Sequence, residues 1–304
     1  MLSAADLRVQ VFSLFSFTAV QVEATSVRLG GHSLPGSVQL TAKGRLVCSG
    51  LTCGELARTH GGVVRLAIPG KIDRAYPGDV EISAREGKLV AVVRFELENA
   101  VAAVVAAEMP EAPPQAQWAQ GVASRSYYLS QKSRHPAADF CDSTHCQFLS
   151  VATDASREAA LRTRGQLLRY QDAPVAAMYF RSCGGRTKRA EDVKLPGTAY
   201  PYAAVECRIC AREPYIWDSE VPAALFRQEP SEALRLELTR RFGWNRMPSN
   251  DYTSEQRGET VFLHGKGQGH GVGMCQRGAA GMAAAGEGHA AILRHYFPGA
   301  SIGE

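Results

Sequence analysis

The spacing of hydrophobic residues changes abruptly near Glu98. Residues 7–96 are rich in alternating apolar and polar positions and in β-branched side chains, in stretches such as LRVQVFSLF that Gly and Pro turns separate. From Glu98, ENAVAAVVAAEMP and QAQWAQGVASRSYYLSQKS have helical patterns, with prolines between them. Strands that precede the first helices predict an α+β fold. We expect a mixed protein with a β-rich N-terminal part.

The same change of pattern suggests how the chain is divided. We expect a β-rich part over residues 1–96 and a core of helices and strands over residues 97–304, as two domains or as one continuous domain. VPAALFRQEPSEALRLELTRRFG predicts a helical insertion near residues 220–243. TVFLHGKG predicts a strand, and AAGMAAAGEGHAAILRHYF predicts closing helices.

Charge and hydropathy exclude some functions. The net charge of +4 is spread along the 304 residues without long Lys/Arg runs, so a nucleic-acid partner is not indicated. No apolar run reaches the length of a membrane-spanning helix. The N-terminus lacks the basic segment of a signal peptide and alternates like a strand, which leaves the compartment open.

Two charged residues fall on apolar helix faces. Glu108 lies seven positions after Val101, on the stripe of the first helix, where lost hydration would raise the pKa of a carboxyl group and suit it to act as a general acid. Arg125 lies seven positions after Trp118 on the second helix. Each residue alone fits an outward-curling side chain. Together they favour a shared polar cleft.

A loop of sequence HPAADFCDSTHC predicts a metal site. It carries four candidate zinc ligands, namely His135, Cys141, His145 and Cys146. The spacing departs from that of zinc fingers, and three alternatives remain: a Cys141–Cys146 disulfide, a thiol nucleophile with His145 as base, or unconnected polar residues. Zinc ranks first.

The other cysteines are harder to interpret. Cys207 and Cys210 form a lone CxxC, which fits a structural metal with Cys183, a redox pair or a disulfide. Cys48 and Cys53 form another near pair, and Cys275 stands apart. An even count of eight is compatible with disulfides or with metal binding.

HGKGQGHGVGMCQRGAAG, residues 264–281, has glycine at every second position from Gly265 to Gly273. It lacks the spacing of a phosphate-binding loop, and a strand and a helix frame it, which argues against a linker. Missing side chains allow close backbone approach. The segment is therefore a tight packing turn around His270 or the wall of a binding site.

Five motifs in order point to a family: VVAAEMP (104–110), AQGVASRSYYL (119–129), CDSTHCQ (141–147), YFRSCGGRT (179–187) and GQGHGVGMCQRGAAGMA (267–283). Together they resemble the SpoIID/LytB family, over residues from about 80 to 300. The sequence departs from the family pattern by small-for-small changes at Ala103, Gly121, Ser126 and Cys275.

The resemblance implies a lytic transglycosylase of peptidoglycan. Such an enzyme cleaves between N-acetylmuramic acid and N-acetylglucosamine without water and leaves 1,6-anhydromuramoyl ends. Glu108 matches the family's catalytic acid and base, and Arg125 matches an arginine expected to bind substrate or stabilise charge. Further expected substrate contacts, opposite Glu108, are Tyr179, Ser182, Gly184, His270 and Gln276.

The resemblance also implies a cofactor, partners and a location. We expect structural or site-adjacent zinc on the Cys/His loop, glycan strands stripped of peptides as substrate, a cell-wall amidase as partner, and a cell-envelope or extracellular location. The alternative function is a non-catalytic wall-binding modifier of an amidase, as in the LytB branch. A thiol amidase or peptidase is the third candidate.

Overall fold

The computed structural model describes residues 6–303 apart from 30, 31, 44, 49, 50, 61, 132, 196–198 and 228. Its strands are β1 (Asp6–Val11), β2 (Ala19–Leu29), β3 (His32–Lys43), β4 (Arg45–Cys48), β5 (Leu51–Gly54), β6 (Leu56–His60), β7 (Val63–Ile68), β8 (Ile72–Pro77), β9 (Asp79–Arg85), β10 (Lys88–Glu96), β11 (Phe140–Cys141), β12 (Leu167–Tyr170), β13 (Ala173–Pro174), β14 (Tyr179–Phe180), β15 (Ile216–Pro222), β16 (Tyr252–Arg257), β17 (Thr260–Lys266), β18 (Met274–Cys275) and β19 (Ser301–Gly303). Its α-helices are α1 (Leu97–Glu108), α2 (Pro114–Ser130), α3 (Asp154–Arg162), α4 (Arg208–Arg212), α5 (Glu232–Phe242), α6 (Gln276–Ala284) and α7 (His289–Tyr296).

The chain divides into two compact units. Unit 1 is Met1–Pro110 with Gln131–Arg164, and unit 2 is Glu111–Ser130 with Gly165–Glu304. The first of the three dividing positions, between Pro110 and Glu111, lies in the proline-containing stretch that separates α1 from α2.

Unit 1 is built on one large sheet. The strand order is β11-β1-β10-β9-β6-β2-β3-β4-β5, and β7 pairs with both β2 and β8. All these pairs are antiparallel except β1 with β11. β1 and β7 alternate exposed and buried side chains, as a sheet with one covered face requires. The predicted period of two therefore corresponds to real strands.

Helix α1 continues directly from β10 and packs against β1, β10 and α3 within unit 1. It is rich in alanine and valine, and its residues Ala100–Ala106 are all buried. Small residues suit such a helix because they allow neighbouring elements to approach closely while still removing apolar surface from water.

Unit 2 is organised around α2, which packs against α6, α7 and β12. β12 joins β13 and β19 in a small sheet, and β14 pairs in parallel with β18. A third sheet, ordered β15-β17-β16, packs with α5 around a cluster of Trp217, Val221, Leu234, Leu238, Met247, Val261 and Leu263.

The structure confirms the predicted α+β class. The strand β17 and the closing helices α6 and α7 also lie where the pattern predicts them. The region near 220–243 differs in part, because β15 runs to Pro222 and a helix begins only at Glu232. Its polar and proline-containing stretch around Pro230 precludes one continuous helix. Within the described ranges, no helix is long and apolar enough to cross a membrane.

Candidate functional site

The Cys/His loop of unit 1 is held by the edge of the large sheet. β11 places Cys141 beside β1, with Gln10 as its partner in the register. The buried carboxylate of Asp142 accepts hydrogen bonds from the backbone N–H groups of Phe12 at 2.7 Å and Ser13 at 3.0 Å. A turn then follows, in which the N–H of Cys146 donates to the carbonyl of Ser143 at 2.9 Å. The turn brings the adjacent His145 and Cys146 back towards Cys141.

The four predicted ligands lie together. The ligand atoms of His135, Cys141, His145 and Cys146 all fall within 4.8 Å of one another. The Nε2 atom of His135 is 3.2 Å from the Sγ of Cys146, and the Nδ1 of His145 is 3.9 Å from the Sγ of Cys141. Two sulfurs and two imidazoles match a structural zinc set.

The thiols of this loop are free and differ in acidity. A hydrogen bond from Cys146 lowers the pKa of Cys141 to about 4. The same contact raises the pKa of Cys146 above its ordinary value. The arrangement therefore favours a thiolate at Cys141, the form that binds a metal and also the form that attacks an electrophile. The side chains of Cys48 and Cys53 lie outside the described part of the chain.

Glu108 is the last residue of α1 and belongs to unit 1. Its side chain is half-buried. The N–H of Met109 still makes a helical bond to the carbonyl of Val105, and the helix ends there because Pro110 has no N–H for the next bond. The carboxyl group thus projects from the end of a helix whose body is buried.

Arg125 belongs to unit 2, where it lies near the middle of α2 with none of its surface exposed. Its guanidinium donates to the carbonyl of Gln166 at 3.2 Å, just before β12 begins. The outward-curling alternative is therefore excluded. Burial of the cation requires such partners, because an unpaired charge in the interior is very costly.

Other buried polar residues of α2 connect it to its neighbours in unit 2. The amide of Gln276 at the start of α6 donates to Gln120 at 3.3 Å, and Gln120 donates to Ser124 at 3.1 Å. Ser126 accepts the N–H of Leu168 at 2.8 Å. Gln276 is thus buried inside unit 2 with a protein partner.

The glycine segment runs beside the YFRSCGGRT motif in unit 2. Ser182 and Gln268 exchange backbone hydrogen bonds at 3.1 and 2.7 Å, and the N–H of Lys188 donates to the carbonyl of Gly271 at 2.7 Å. Tyr179 is half-buried and Ser182 is buried, while Gly184 approaches Lys266 and Gly267. These contacts support the packing interpretation of the glycines.

His270 is satisfied by the backbone around it. Its Nε2–H donates to the carbonyl of Tyr179 at 2.9 Å, and its Nδ1 accepts the N–H of Val272 at 3.1 Å. Burial lowers the pKa of His270, so the ring is neutral at pH 7. Sugar binding through a ring nitrogen would displace one of these contacts, and substrate binding by His270 stays a prediction.

A groove of 390 Å³ opens along the same region of unit 2. Its lining includes Gly184, Gly185 and Cys207 together with the cationic residues Arg186, Arg208 and Lys266. Gly184 is the one predicted substrate-binding residue that lines this groove.

A buried ion pair that the sequence pattern did not predict lies next to the glycine segment. Glu232 accepts bonds from Arg235 at 2.6 and 2.7 Å and from the amide of Asn250 at 2.8 Å. The same amide lies 3.4 Å from the carbonyl of His270. The signal in the sequence was a pair of opposite charges at i,i+3 on a helix, which is ordinarily a solvated pair.

Comparison with known proteins agrees with these motifs. The family described as SpoIID, stage II sporulation protein, matches residues 85–170. Stage II sporulation protein D of Bacillus amyloliquefaciens is 27% identical over 269 residues, covering 70% of this chain and 76% of that protein. The protein of the same name from Bacillus subtilis is 25% identical over 272 residues, with the same shares covered. These matches support a member of the SpoIID family.

A further relative is an uncharacterized protein of Brachyspira hyodysenteriae, 25% identical over 266 residues that cover 75% of this chain and 72% of that protein. The segment that matches the SpoIID family contains α1, Glu108 and the whole Cys/His loop. The match to the SpoIID family supports a sporulation-related function at the cell wall.

Proposed function

We propose that this protein is a peptidoglycan lytic transglycosylase with Glu108 as its acid and base. The substrate is the glycan strand, stripped of its stem peptides, and the product carries a 1,6-anhydromuramoyl end. The match to the SpoIID family supports a cell-wall-related enzyme, and to this we add the specific reaction and its catalytic residue.

One observation carries the proposal: Glu108 is a half-buried carboxyl group at the very end of α1, inside the segment that matches the family. We assign the proton transfer to this carboxyl group, because a general acid must be held within reach of the bond that it protonates.

A single carboxyl group suffices for the reaction. Glu108 gives its proton to the glycosidic oxygen as the bond from the muramoyl C1 breaks, and N-acetylglucosamine leaves as the alcohol. The muramoyl 6-hydroxyl oxygen then bonds to C1, and the Glu108 carboxylate takes its proton. The residue returns to its starting form, and no water is consumed. Hydrolytic glycosidases need a second carboxylate as nucleophile or base, and here the substrate's own hydroxyl replaces it.

The remaining residues are assigned by their chemistry. Tyr179, Ser182, Gly184, His270 and Gln276 are proposed to line or support the substrate site, and Arg125 to bind substrate or stabilise charge. Ser182, Arg125 and Gln276 are buried and have partners inside unit 2. We therefore expect substitutions there to lower stability as well as activity.

The Cys/His loop fits zinc, because its two sulfurs and two imidazoles converge. His135, Cys141, His145 and Cys146 would hold the ion, which in such a closed donor set supplies structural cross-linking. We propose the cell envelope or the extracellular side as the place of action and a wall amidase as the enzyme that prepares the substrate.

Product analysis tests the proposal. Wild-type protein is incubated with bare glycan strands and with peptide-bearing peptidoglycan, and the ends are identified by mass spectrometry. We expect anhydromuramoyl ends, mainly from bare strands. Glu108→Gln should lower the rate by about 10²–10⁴-fold, the usual contribution of acid–base catalysis, while glycan binding in a sedimentation assay persists.

Glu111→Gln is the matched control, because it removes the same charge from an exposed side chain three residues away. It should retain wild-type activity. Reducing ends in place of anhydro ends would contradict the proposal, and binding without any product would favour the amidase modifier. Activity that survives Glu108→Gln and is lost in Cys141→Ser would favour a thiol enzyme.

A further inference from the structure

Four cysteines of unit 2 converge although they are far apart in the sequence. They are Cys183, Cys207, Cys210 and Cys275. Their sulfur atoms all lie within 4.8 Å of one another, and none of the four residues is more than 4% exposed. The pairing of β14 with β18 accounts for part of this, since it sets Phe180 beside Cys275.

The separation of the sulfurs fits a single metal ion. Zinc–sulfur bonds of 2.3 Å in a tetrahedron place the sulfurs about 3.8 Å apart. The sulfurs of Cys210 and Cys275 are 3.6 Å apart. A disulfide would need about 2 Å. A cluster of several iron atoms would spread its cysteine sulfurs farther apart than one ion does.

Hydrogen-bond donors surround the sulfurs. The hydroxyl of Tyr296 donates to Cys207 at 3.5 Å, and the N–H of Gly278 donates to Cys275 at 3.4 Å. The hydroxyl of Ser182 lies 3.6 Å from Cys210. Buried thiols that only fill space need no such partners. Donors aimed at sulfur are typical of the surroundings of thiolate ligands, whose charge they offset.

The glycine at position 278 leaves room for this arrangement. A Cβ atom there would come within 2.5 Å of the Cys207 sulfur and 2.0 Å of the Tyr296 hydroxyl. Gly278 therefore allows helix α6 to approach Cys207 at the start of α4.

We propose that Cys183, Cys207, Cys210 and Cys275 form a second zinc site, a structural one with four thiolate ligands. The donor set is closed and buried, which leaves no position for a substrate. Binding displaces protons from the thiols as the zinc–sulfur bonds form, so the ion stabilises the folded form of unit 2. The site fastens the loop after β14, helix α4 and the start of α6 to one another.

Metal content and ligand identity test this site on the full chain. Protein is purified under reducing conditions without added chelator, and metals are measured per chain by mass spectrometry. We expect two zinc ions in the wild type and one in His135→Ala/Cys141→Ser. In that double variant, X-ray absorption should show sulfur neighbours only, at about 2.3 Å. Cys207→Ser/Cys210→Ser should instead retain one zinc with mixed sulfur and nitrogen neighbours.

The wild type alone keeps the proposal falsifiable if a variant does not fold. Two occupied sites give an average of three sulfur neighbours and one nitrogen per zinc, whereas the Cys/His loop alone gives two of each. A wild type with only the latter signature, with iron in place of zinc, or with disulfides among these four cysteines overturns the proposal. Because the readout is metal ligation, its failure leaves the transglycosylase proposal unaffected.

Discussion

Two local constraints, backbone angle and lack of space for a side chain, explain glycines in the segment 265–273. Gly267, Gly269, Gly271 and Gly273 all have positive φ angles, between 82° and 100°. At Gly273, a Cβ atom would also lie 2.2 Å from the carbonyl oxygen of Met178. That carbonyl accepts the N–H of Met274, so the clash falls on the pairing of β14 with β18.

Gly273→Ala should therefore destabilise unit 2 more than its backbone angle alone explains. Gly299 has nearly the same φ, 84° against 82°, but open space around its Cβ position. Gly299→Ala should cost about 1–2 kcal/mol, the penalty of a left-handed backbone. Gly273→Ala should cost about 1–3 kcal/mol more, because backbone must move. Urea unfolding measures both, and equal losses would contradict the clash.

Helix α5 carries two ion pairs, one buried and one exposed to solvent. The pair Glu232 and Arg235 is buried next to Asn250, whereas Glu237 and Arg241 form an ion pair at 3.1 Å whose arginine side chain is 52% exposed. Burial by itself would raise the pKa of Glu232. The charge and hydrogen bonds of Arg235 outweigh it and hold that pKa below its ordinary value of 4.5.

Arg235→Met should lower the free energy of unfolding by about 3–5 kcal/mol at pH 7, because it leaves a buried carboxylate unpaired. Arg241→Met, its control on the same helix, should cost less than about 0.5 kcal/mol. The contribution of Glu232 is present above pH 4.5 and is lost as the pH falls through its lower folded-state pKa. The Arg235→Met deficit, measured by urea unfolding, should therefore shrink below pH 4.5; a constant deficit would contradict a role for the Glu232 charge.

The two candidate metal clusters belong to different units of the molecule. Loss of metal from each cluster should therefore affect a different set of segments. His135, Cys141, His145 and Cys146 lie in unit 1, and the four-cysteine cluster lies in unit 2. Each ion would fix the segments that carry its own ligands.

Hydrogen exchange followed by mass spectrometry should resolve the two contributions. Cys141→Ser should raise exchange most in residues 133–147 and near Ser13, which Asp142 holds. Cys207→Ser/Cys210→Ser should raise it most in residues 179–187 and 267–278. Treatment of the wild type with a strong chelator should produce both effects. The proposed ligand sets would be contradicted if Cys141→Ser raised exchange most in residues 179–187 and 267–278, or if Cys207→Ser/Cys210→Ser raised it most in residues 133–147.

Some features of this protein follow from the sequence alone. The change of hydrophobic period at Glu98 determines the α+β class, because side-chain periodicity reports locally which face of a strand or helix is buried. The Cys/His loop could also be found from the sequence, since its four candidate ligands lie within twelve residues and one turn brings them together. The family motifs likewise required no coordinates.

Other features were decided only by the tertiary structure. Cys275 joins Cys183, Cys207 and Cys210 because β18 pairs with β14 and α6 packs on α4. The burial of Glu232 with Arg235 depends on Asn250, eighteen residues away in the sequence. The partners of His270 depend on the backbone of Tyr179. Local propensity contains no information about contacts that form when distant segments pack, so a lone CxxC, an i,i+3 charge pair and a histidine among glycines stayed ambiguous until the fold placed their neighbours.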